Sequence, residues 1–327
     1  MKKETVLNLV VAAGLLAVPL IAWMLDEPFI VTLATRVAVL ALAGVGLNLA
    51  LGLGGMISFG HAAFFGLGGY VLGILVHHKQ TFEPFLTWPF LFSGSSSMLI
   101  IWLATIIVCS IVALIIGICS LRTSGVYFIM ITLAFAQMLF YLSLSSTTYG
   151  GEDGLPIYLR SLFPGLNTMH SVQFFLICYG VLLIALYLFS RIAASPFGLA
   201  LTATRWNSQR VTAVGIKPFK LKLIAFVLSA AITGLAGALF ADLNRFVSPA
   251  MFSWHLSGEL LVFIILGGVA RLFGPVLGAA LYIGLEHVWG GYSEHWQIYL
   301  GVILLFVVLR APGGLLGLCL GTEKRHA

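Results

Sequence analysis

GVGLNLALGLGGMISFGHAAFFGLGGYVLG, residues 44–73, holds ten glycines in thirty positions and lies inside a long apolar region. Glycine lets helix backbones approach closely, and it tolerates broken or non-helical backbone. Backbone that unwinds at membrane depth survives only where it lines a cavity or is buried in protein. The Gly52-Leu53-Gly54-Gly55 turn, followed by Ser58, Gly60 and His61, therefore admits two readings. One is a pathway-lining element, with Asn48, Gly52, Gly55, Ser58, Gly60 and His61 as candidate residues. The other is tight helix packing around a turn on the cytoplasmic side. Both presuppose a membrane.

Composition supplies it. Of the 327 residues 60% are hydrophobic and 9% charged, with mean hydropathy +1.07. A soluble domain carries about 25% charged residues, because its surface must face water. One helical crossing takes roughly 20 apolar residues, so ten crossings use about 200 and leave only short loops. Candidate helices lie near 5–25, 29–53, 56–76, 98–120, 123–145, 172–190, 222–242, 257–270, 274–289 and 297–311. The expectation is an all-α polytopic membrane protein, one domain over 1–327 with a cytoplasmic loop near 195–222. The eighth and ninth helices are short and tightly joined across Arg271–Pro275, which makes one of them a candidate broken or re-entrant segment. The apolar run after Lys2 and Lys3 leads into Asp26-Glu27-Pro28 with no small-x-small cleavage site, so it reads as a retained span rather than a signal peptide.

Charge orients the spans. With the N-terminus inside, inner segments hold Lys2, Lys3, Arg122, Arg191, Arg205, Arg210, Lys217, Lys220, Lys222, Arg271, Arg310, Lys324 and Arg325, opposed by Glu4 and Glu323. Outer segments hold Lys79, Arg160 and Arg245 against Asp26, Glu27, Glu83, Glu152, Asp153, Asp242 and Glu294. Thirteen cations against three match the inside bias of basic residues and place both termini in the cytoplasm. The formal charge of +6 is that bias, not a nucleic-acid patch.

Ionisable groups inside spans are few. Arg36 lies about two turns into span 2, where it can snorkel outward. Glu259 and the Glu286-His287 pair fall towards the outer interface, which leaves His61 as the intramembrane candidate. A second glycine cluster, Gly267, Gly268, Gly274, Gly278 and Gly284, reads as packing, with Pro275 in the first turn of a helix. Cys109, Cys119, Cys178 and Cys319 stand singly in apolar runs as packing residues, and no Cys/His cluster suggests a metal.

The sizeable inner segment is SPFGLALTATRWNSQRVTAVGIKPFKLK, residues 195–222. It reads as one capped helix: Ser195 N-cap, Pro196 at N1, Gly215 at C′, and Pro218 barring continuation. Leu199, Ala203, Trp206 and Val214 can share an apolar side, while Arg205, Asn207, Gln209 and Arg210 are polar. Six cations flank or populate the segment and no acid does. A stiff helix too short to fold alone is either a docking element for a partner or an interfacial helix on anionic lipid.

At this segment, together with 44–73, the chain resembles the LivM-type permease subunits of ABC importers for branched-chain amino acids. The resemblance covers nearly the whole chain. It is carried by LNLALGLGGMISFGHAAFFGLGGY (47–70), YGGEDGL (149–155), SPFGLALTATRWNSQRVTAVGI (195–216), LIAFVLSAAITGLAGAL (223–239), LGGVARLFGPVLGA (266–279) and APGGLLG (311–317). It implies a subunit of the bacterial inner membrane that pairs with a second, related permease. Two cytoplasmic ATPases would use ATP and Mg on the inside, and a periplasmic binding protein would deliver substrate outside. The 195–216 segment would be the coupling loop, with Ser195, Pro196, Gly198, Arg205, Trp206, Asn207, Arg210 and Gly215 as its residues; Gly215 matches the glycine of the importer loop motif. Gln209-Arg210-Val211 departs from the Glu-Ala-Ala of that motif, and Ala270-Arg271 stands where relatives usually have Gly and a small hydroxyl residue. Urea and short-amide permeases share most of these motifs.

Other classes fit less well. The sequence has no Gly-Lys dipeptide, hence no Walker A loop, and hydrolysis must reside on another chain. An ion-coupled carrier would bury several acids at mid-depth, whereas the acids here fall at interfaces. An intramembrane enzyme needs a convergent nucleophile and base or metal ligands; His61, His255 and His287 lie on different spans without a supporting motif. No catalytic residue, metal ligand or cofactor bound by this chain is expected.

Overall fold

Proline in the first turn marks the start of four of the described helices, at Pro28, Pro196, Pro218 and Pro275. The structure is a computed structural model that describes residues 2–81, 94–291, 295–310 and 313–320. In chain order the helices are α1 (Lys2–Met24), α2 (Pro28–Asn48), α3 (His61–Thr81), α4 (Met98–Ser120), α5 (Val126–Ser145) and α6 (Ser171–Ala194). There follow α7 (Pro196–Trp206), α8 (Ser208–Ala213), α9 (Pro218–Asn244), α10 (Trp254–Gly267), α11 (Gly274–Gly290), α12 (Trp296–Arg310) and α13 (Gly314–Leu320). Two short strands, β1 (Leu155–Pro156) and β2 (Phe246–Val247), pair antiparallel.

The fold is nearly all helical. Among the described residues six helices are long and apolar enough to cross a membrane: Val6–Met24, Pro28–Leu53, Met98–Ser120, Val126–Ser145, Ser171–Ala194 and Pro218–Asn244. α10 and α12 are apolar but hold 14 and 15 residues. At 1.5 Å per residue each spans about 21–23 Å, short of the ~30 Å hydrocarbon core. The third expected span, 56–76, differs most from expectation. α3 begins at His61 rather than near 56, because residues 54–60 are not helical.

α9 is the hub, with α2, α3 and α4 packed on it; α1 and α6 flank α2, and α11 joins α2 to α10. Lipid is as apolar as leucine, so helix association here depends on close packing rather than hydrophobic burial. Small residues provide it. A Cβ on Gly68 would overlap the Gly234 carbonyl, and one on Gly237 would overlap that of Phe65, so α3 and α9 lie backbone against backbone. The second glycine cluster does the same between α10 and α11, where Gly278 abuts the Phe263 carbonyl and Gly267 that of Gly274. Cys109 and Cys178 are buried packing residues as expected, but Cys119 is exposed. Outward faces are aliphatic, as on α4, which exposes Leu99, Leu103, Ile107, Ile111, Leu114 and Ile115.

At the Asn244 end of α9 the YGGEDGL turn, with φ of 86°, 48° and 77° at Gly150, Gly151 and Gly154, brings β1 onto β2. Asp242 accepts from the backbone N and the hydroxyl of Ser161, both at 3.1 Å. Arg160 donates to the carbonyls of Thr168, Asp242 and Leu243 and lies over the Phe174 ring at 4.6 Å. Burial, with Arg245 nearby, holds the Arg160 pKa below its ordinary value. Several residues used in the charge argument (Glu83, Glu294, Glu323, Lys324, Arg325 and the side chains of Lys2, Lys3 and Glu4) lie outside the described residues, as do Ala311, Pro312 and the Cys319 side chain.

Candidate functional site

Asn48 closes the regular part of α2. Leu49–Leu53 continue as a π-helical turn, and the chain then runs non-helical to His61, with Gly55 at φ 65°. That conformation favours glycine. A backbone opened in this way must find partners for its freed polar groups. Hydroxyl side chains provide them. Ser58 Oγ accepts from Gly60 N at 3.1 Å. Ser257 Oγ, from the first turn of α10, accepts from Ala62 N at 3.0 Å and donates to Phe59 O at 2.7 Å.

His61 is fully buried, edge-on to Phe64 and Phe226 at centroid distances of 5.8 Å. Its Nε2 lies 2.7 Å from Ser229 Oγ, and that hydroxyl lies 2.5 Å from Gly46 O. Serine has one proton to give; with Gly46 O taking it, the imidazole Nε2–H is the donor to Ser229. Nδ1 is then the bare nitrogen, buried without a partner. Gly46 itself is held against Thr233, where a Cβ would come within 2.5 Å of Oγ1. Of the six candidate residues on this element, Asn48, Gly52, Ser58, Gly60 and His61 are buried and Gly55 is exposed. A small cleft of about 110 Å³ reaches Gly55, Met56 and Ile57, bounded by Gly125, Phe128 and Lys222.

Two other segments converge on the break. The Asn48 side chain accepts from Ala270 N at 3.0 Å and donates to Arg271 O at 2.9 Å, which ties the α10–α11 turn to α2. Ala270 adopts φ 63°, the left-handed region where a glycine is unstrained. Arg271 lies over the turn that precedes α13, with its guanidinium beside Gly313 and Gly317. The departure at 270–271 thus has a backbone strain at one residue and a packing role at the next.

The second segment is the 195–216 loop. Ser195 caps α7, accepting from Gly198 N at 3.2 Å, and Pro196 occupies its first turn. The expected single helix is broken. Asn207 is extended, with φ −155° and ψ 100°, and its Oδ1 accepts from Arg210 N at 3.0 Å, capping a second helix, α8. The asparagine side chain competes with the helical backbone and wins. Gly215 follows α8 at φ 89°, with open space where a Cβ would be. Gly198, Leu201, Thr204 and Val211 face the bundle, whereas Leu199, Trp206 and Val214 are 66%, 77% and 78% exposed and Arg210 is exposed beside them. Arg205 turns back: its Nη1 donates to Gly52 O at 2.6 Å, and its aliphatic stem covers Gly55. The sequence did not signal this contact, nor the hydroxyls of Ser229 and Ser257.

At the opposite end Arg36 does not reach water alone. Its guanidinium pairs with Glu286 of α11 at 3.1 Å. Glu259 is partly buried on α10. Among the described residues no cluster of three or more His, Cys, Asp or Glu could hold a metal.

These features define a multi-pass helical membrane protein whose core is an interrupted, hydroxyl-stitched helix pair clasped by an exposed loop. The chain belongs to the family of branched-chain amino acid transport system permease components, which it matches over residues 29–309, and it is a permease subunit rather than an enzyme. It is 28% identical over 326 residues to the high-affinity branched-chain amino acid transport system permease protein LivM of Salmonella typhimurium, covering 90% of this chain and 72% of that protein. The LivM protein of Escherichia coli is 27% identical over the same shares. The LivH permease of Salmonella typhimurium is 23% identical, over 85% of this chain and 91% of its own. No solved structure matches the chain.

Proposed function

We propose that this chain is the membrane-spanning subunit of an ATP-driven importer that moves branched-chain amino acids inward by alternating access. It acts in the bacterial inner membrane through ten crossings with both termini inside, a topology supported by the charge partition of its loops. Likeness to both LivM and LivH proteins supports pairing with a second, related permease. Two ATPases supply ATP hydrolysis with Mg on the inner face, and a binding protein delivers substrate on the other. The carrying observation is the Arg205–Gly52 contact, which joins the exposed α7–α8 loop to the interrupted helix at the core. A push on α7 then reaches Gly52–Gly55 without an intervening element, and the 48–61 segment moves at the pathway.

Arg210→Glu tests the docking role in the complete transporter. ATPase binding and labelled leucine uptake are both expected to fall; no change in either would remove the loop from coupling. Uptake of labelled urea by the same complex, with leucine excluded, would transfer the substrate reading to short amides.

A further inference from the structure

One outward face departs from the aliphatic pattern. α5 buries Phe128, Thr132, Ala136, Leu139 and Ser143, which repeat at helical spacing on the side where α3 and the 249–252 turn pack. Opposite them a second line, Tyr127, Met130, Ala134, Gln137 and Tyr141, runs at alternating intervals of three and four residues. Gln137 is half-buried and the other four are exposed. None of the five is leucine or isoleucine, the two types that α4 presents to the outside. Alternating three-four spacing is that of a helix–helix seam, where a small residue lets backbones approach and a polar one fixes partner and register.

Gln137 decides between a seam and a lipid face. α5 is long and apolar enough to cross a membrane, and Gln137 is the twelfth of its twenty residues. At 1.5 Å per residue it lies about 12 Å from the nearer helix end, close to the bilayer centre. Among the described residues its amide has no hydrogen-bond partner. The amide carries two donors and an acceptor, water is absent at that depth, and leaving them to lipid is costly. Tyr127 and Tyr141, near the two ends of α5, suit the headgroup level of a lipid face; a mid-helix glutamine does not. Its partner must itself stand within the bilayer. ATPases on the inner face and a binding protein on the outer do not reach that level, which leaves the second permease.

We propose that the Tyr127, Met130, Ala134, Gln137 and Tyr141 stripe of α5 is the seam with the second, related permease, and that Gln137 hydrogen-bonds across it to that subunit's facing helix. This rests on the pairing reading and deepens it by naming the surface. The seam lies one helix away from the break. On the buried side of α5, the Thr132 carbonyl is 3.0 Å from where a Cβ on Gly60 would stand, and Phe128 bounds the cleft over Gly55, Met56 and Ile57. Movement between the two permeases therefore bears on the 48–61 segment through α5 alone.

The test uses the full chain co-expressed with the LivH-type permease of the same transporter, each subunit carrying its own tag. The photo-crosslinker p-benzoylphenylalanine in place of Ala134, irradiated in native membranes, is expected to give an adduct with the second permease. The same probe in place of Ile107, on the aliphatic face of α4, is expected to give none. Gln137→Leu should lower recovery of the second permease with the tagged chain roughly three- to ten-fold, and Gln137→Asn should retain part of it. The chain expressed alone should melt like the parent in both variants, because no bond within it is lost. An adduct from position 134 with a second copy of this chain, or with neither permease, would overturn the seam while the pairing stands. So would recovery at the parent level in Gln137→Leu, the behaviour of a lipid-facing residue. If the parent itself brought down no second permease, the pairing reading would fall and the seam with it.

Discussion

Arg205 Nη1 donates to Gly52 O at 2.6 Å, so a residue of the exposed loop satisfies a carbonyl released by the break in the second span. A π-helical turn leaves carbonyls without their regular partner, and a charged donor is the strongest neutral-peptide substitute, contributing about 1.5–3 kcal/mol. The same side chain fills the space over Gly55, whose φ of 65° excludes an easy replacement. Loop and break are therefore one mechanical unit.

Arg205→Ala should uncouple that unit without unfolding the bundle. Leucine uptake by the complete transporter is expected to drop roughly ten-fold, the equivalent of about 1.4 kcal/mol, while basal ATP hydrolysis persists. Arg205→Lys should recover part of it, since an ammonium can reach one carbonyl but lacks the planar fork. Uptake at the parent level in Arg205→Ala would show that the contact transmits nothing.

Gly68→Ala and Gly237→Ala test the α3–α9 seam. In each case the added methyl meets a backbone carbonyl of the facing helix, which cannot step aside as a side chain could. Overpacking of this kind costs about 1–3 kcal/mol, and here the helices must separate along their whole contact. Gly180→Ala and Gly258→Ala, where nothing lies within 4 Å of the new methyl, should leave stability unchanged. Thermal melts of the four variants in detergent separate the two pairs.

Asn48→Ala removes both an acceptor for Ala270 N and a donor to Arg271 O, at a site 1% exposed. Each orphaned group costs about 1–3 kcal/mol, so the α10–α11 turn should come away from α2. Proteolytic cleavage near 268–273 is the direct readout. Ala270→Gly relieves a left-handed alanine, worth about 1–2 kcal/mol, against roughly 0.4–1 kcal/mol of added chain entropy. A small rise in melting temperature is expected there.

The glycine-rich 44–73 stretch admitted unwound backbone and packing around a turn alike, and few residues other than glycine sit at Gly55 or beneath Thr233 at Gly46. Composition marked the helices, and the prolines at 196 and 275 marked starts. What satisfied the break was not legible. Ser229 and Ser257 are single hydroxyls in apolar runs more than 160 residues from their partners, a distance at which local pattern carries no information. The Arg36–Glu286 pair, 250 residues apart, escaped for the same reason. Asn207 was legible in principle, since asparagine favours caps over helix interiors, but the continuous apolar side across 199–214 outweighed it.

That apolar side gives the last test. Leu199, Trp206 and Val214 stay exposed although the chain has an apolar interior available, and Trp206 at 77% is the largest of them. Its neighbours Leu201 and Val211 already fill the inward face, so Trp206→Ser removes nothing the bundle uses. Folding, membrane insertion and melting temperature should match the parent. A central tryptophan at a protein interface is worth about 2 kcal/mol or more, so ATPase binding should weaken roughly thirty-fold. If the loop instead lay on lipid, Trp206→Ser would leave ATPase affinity intact and change only the partition of an isolated 195–216 peptide onto anionic vesicles. Titrating purified ATPase onto the permease pair in nanodiscs, parent against variant, distinguishes these outcomes.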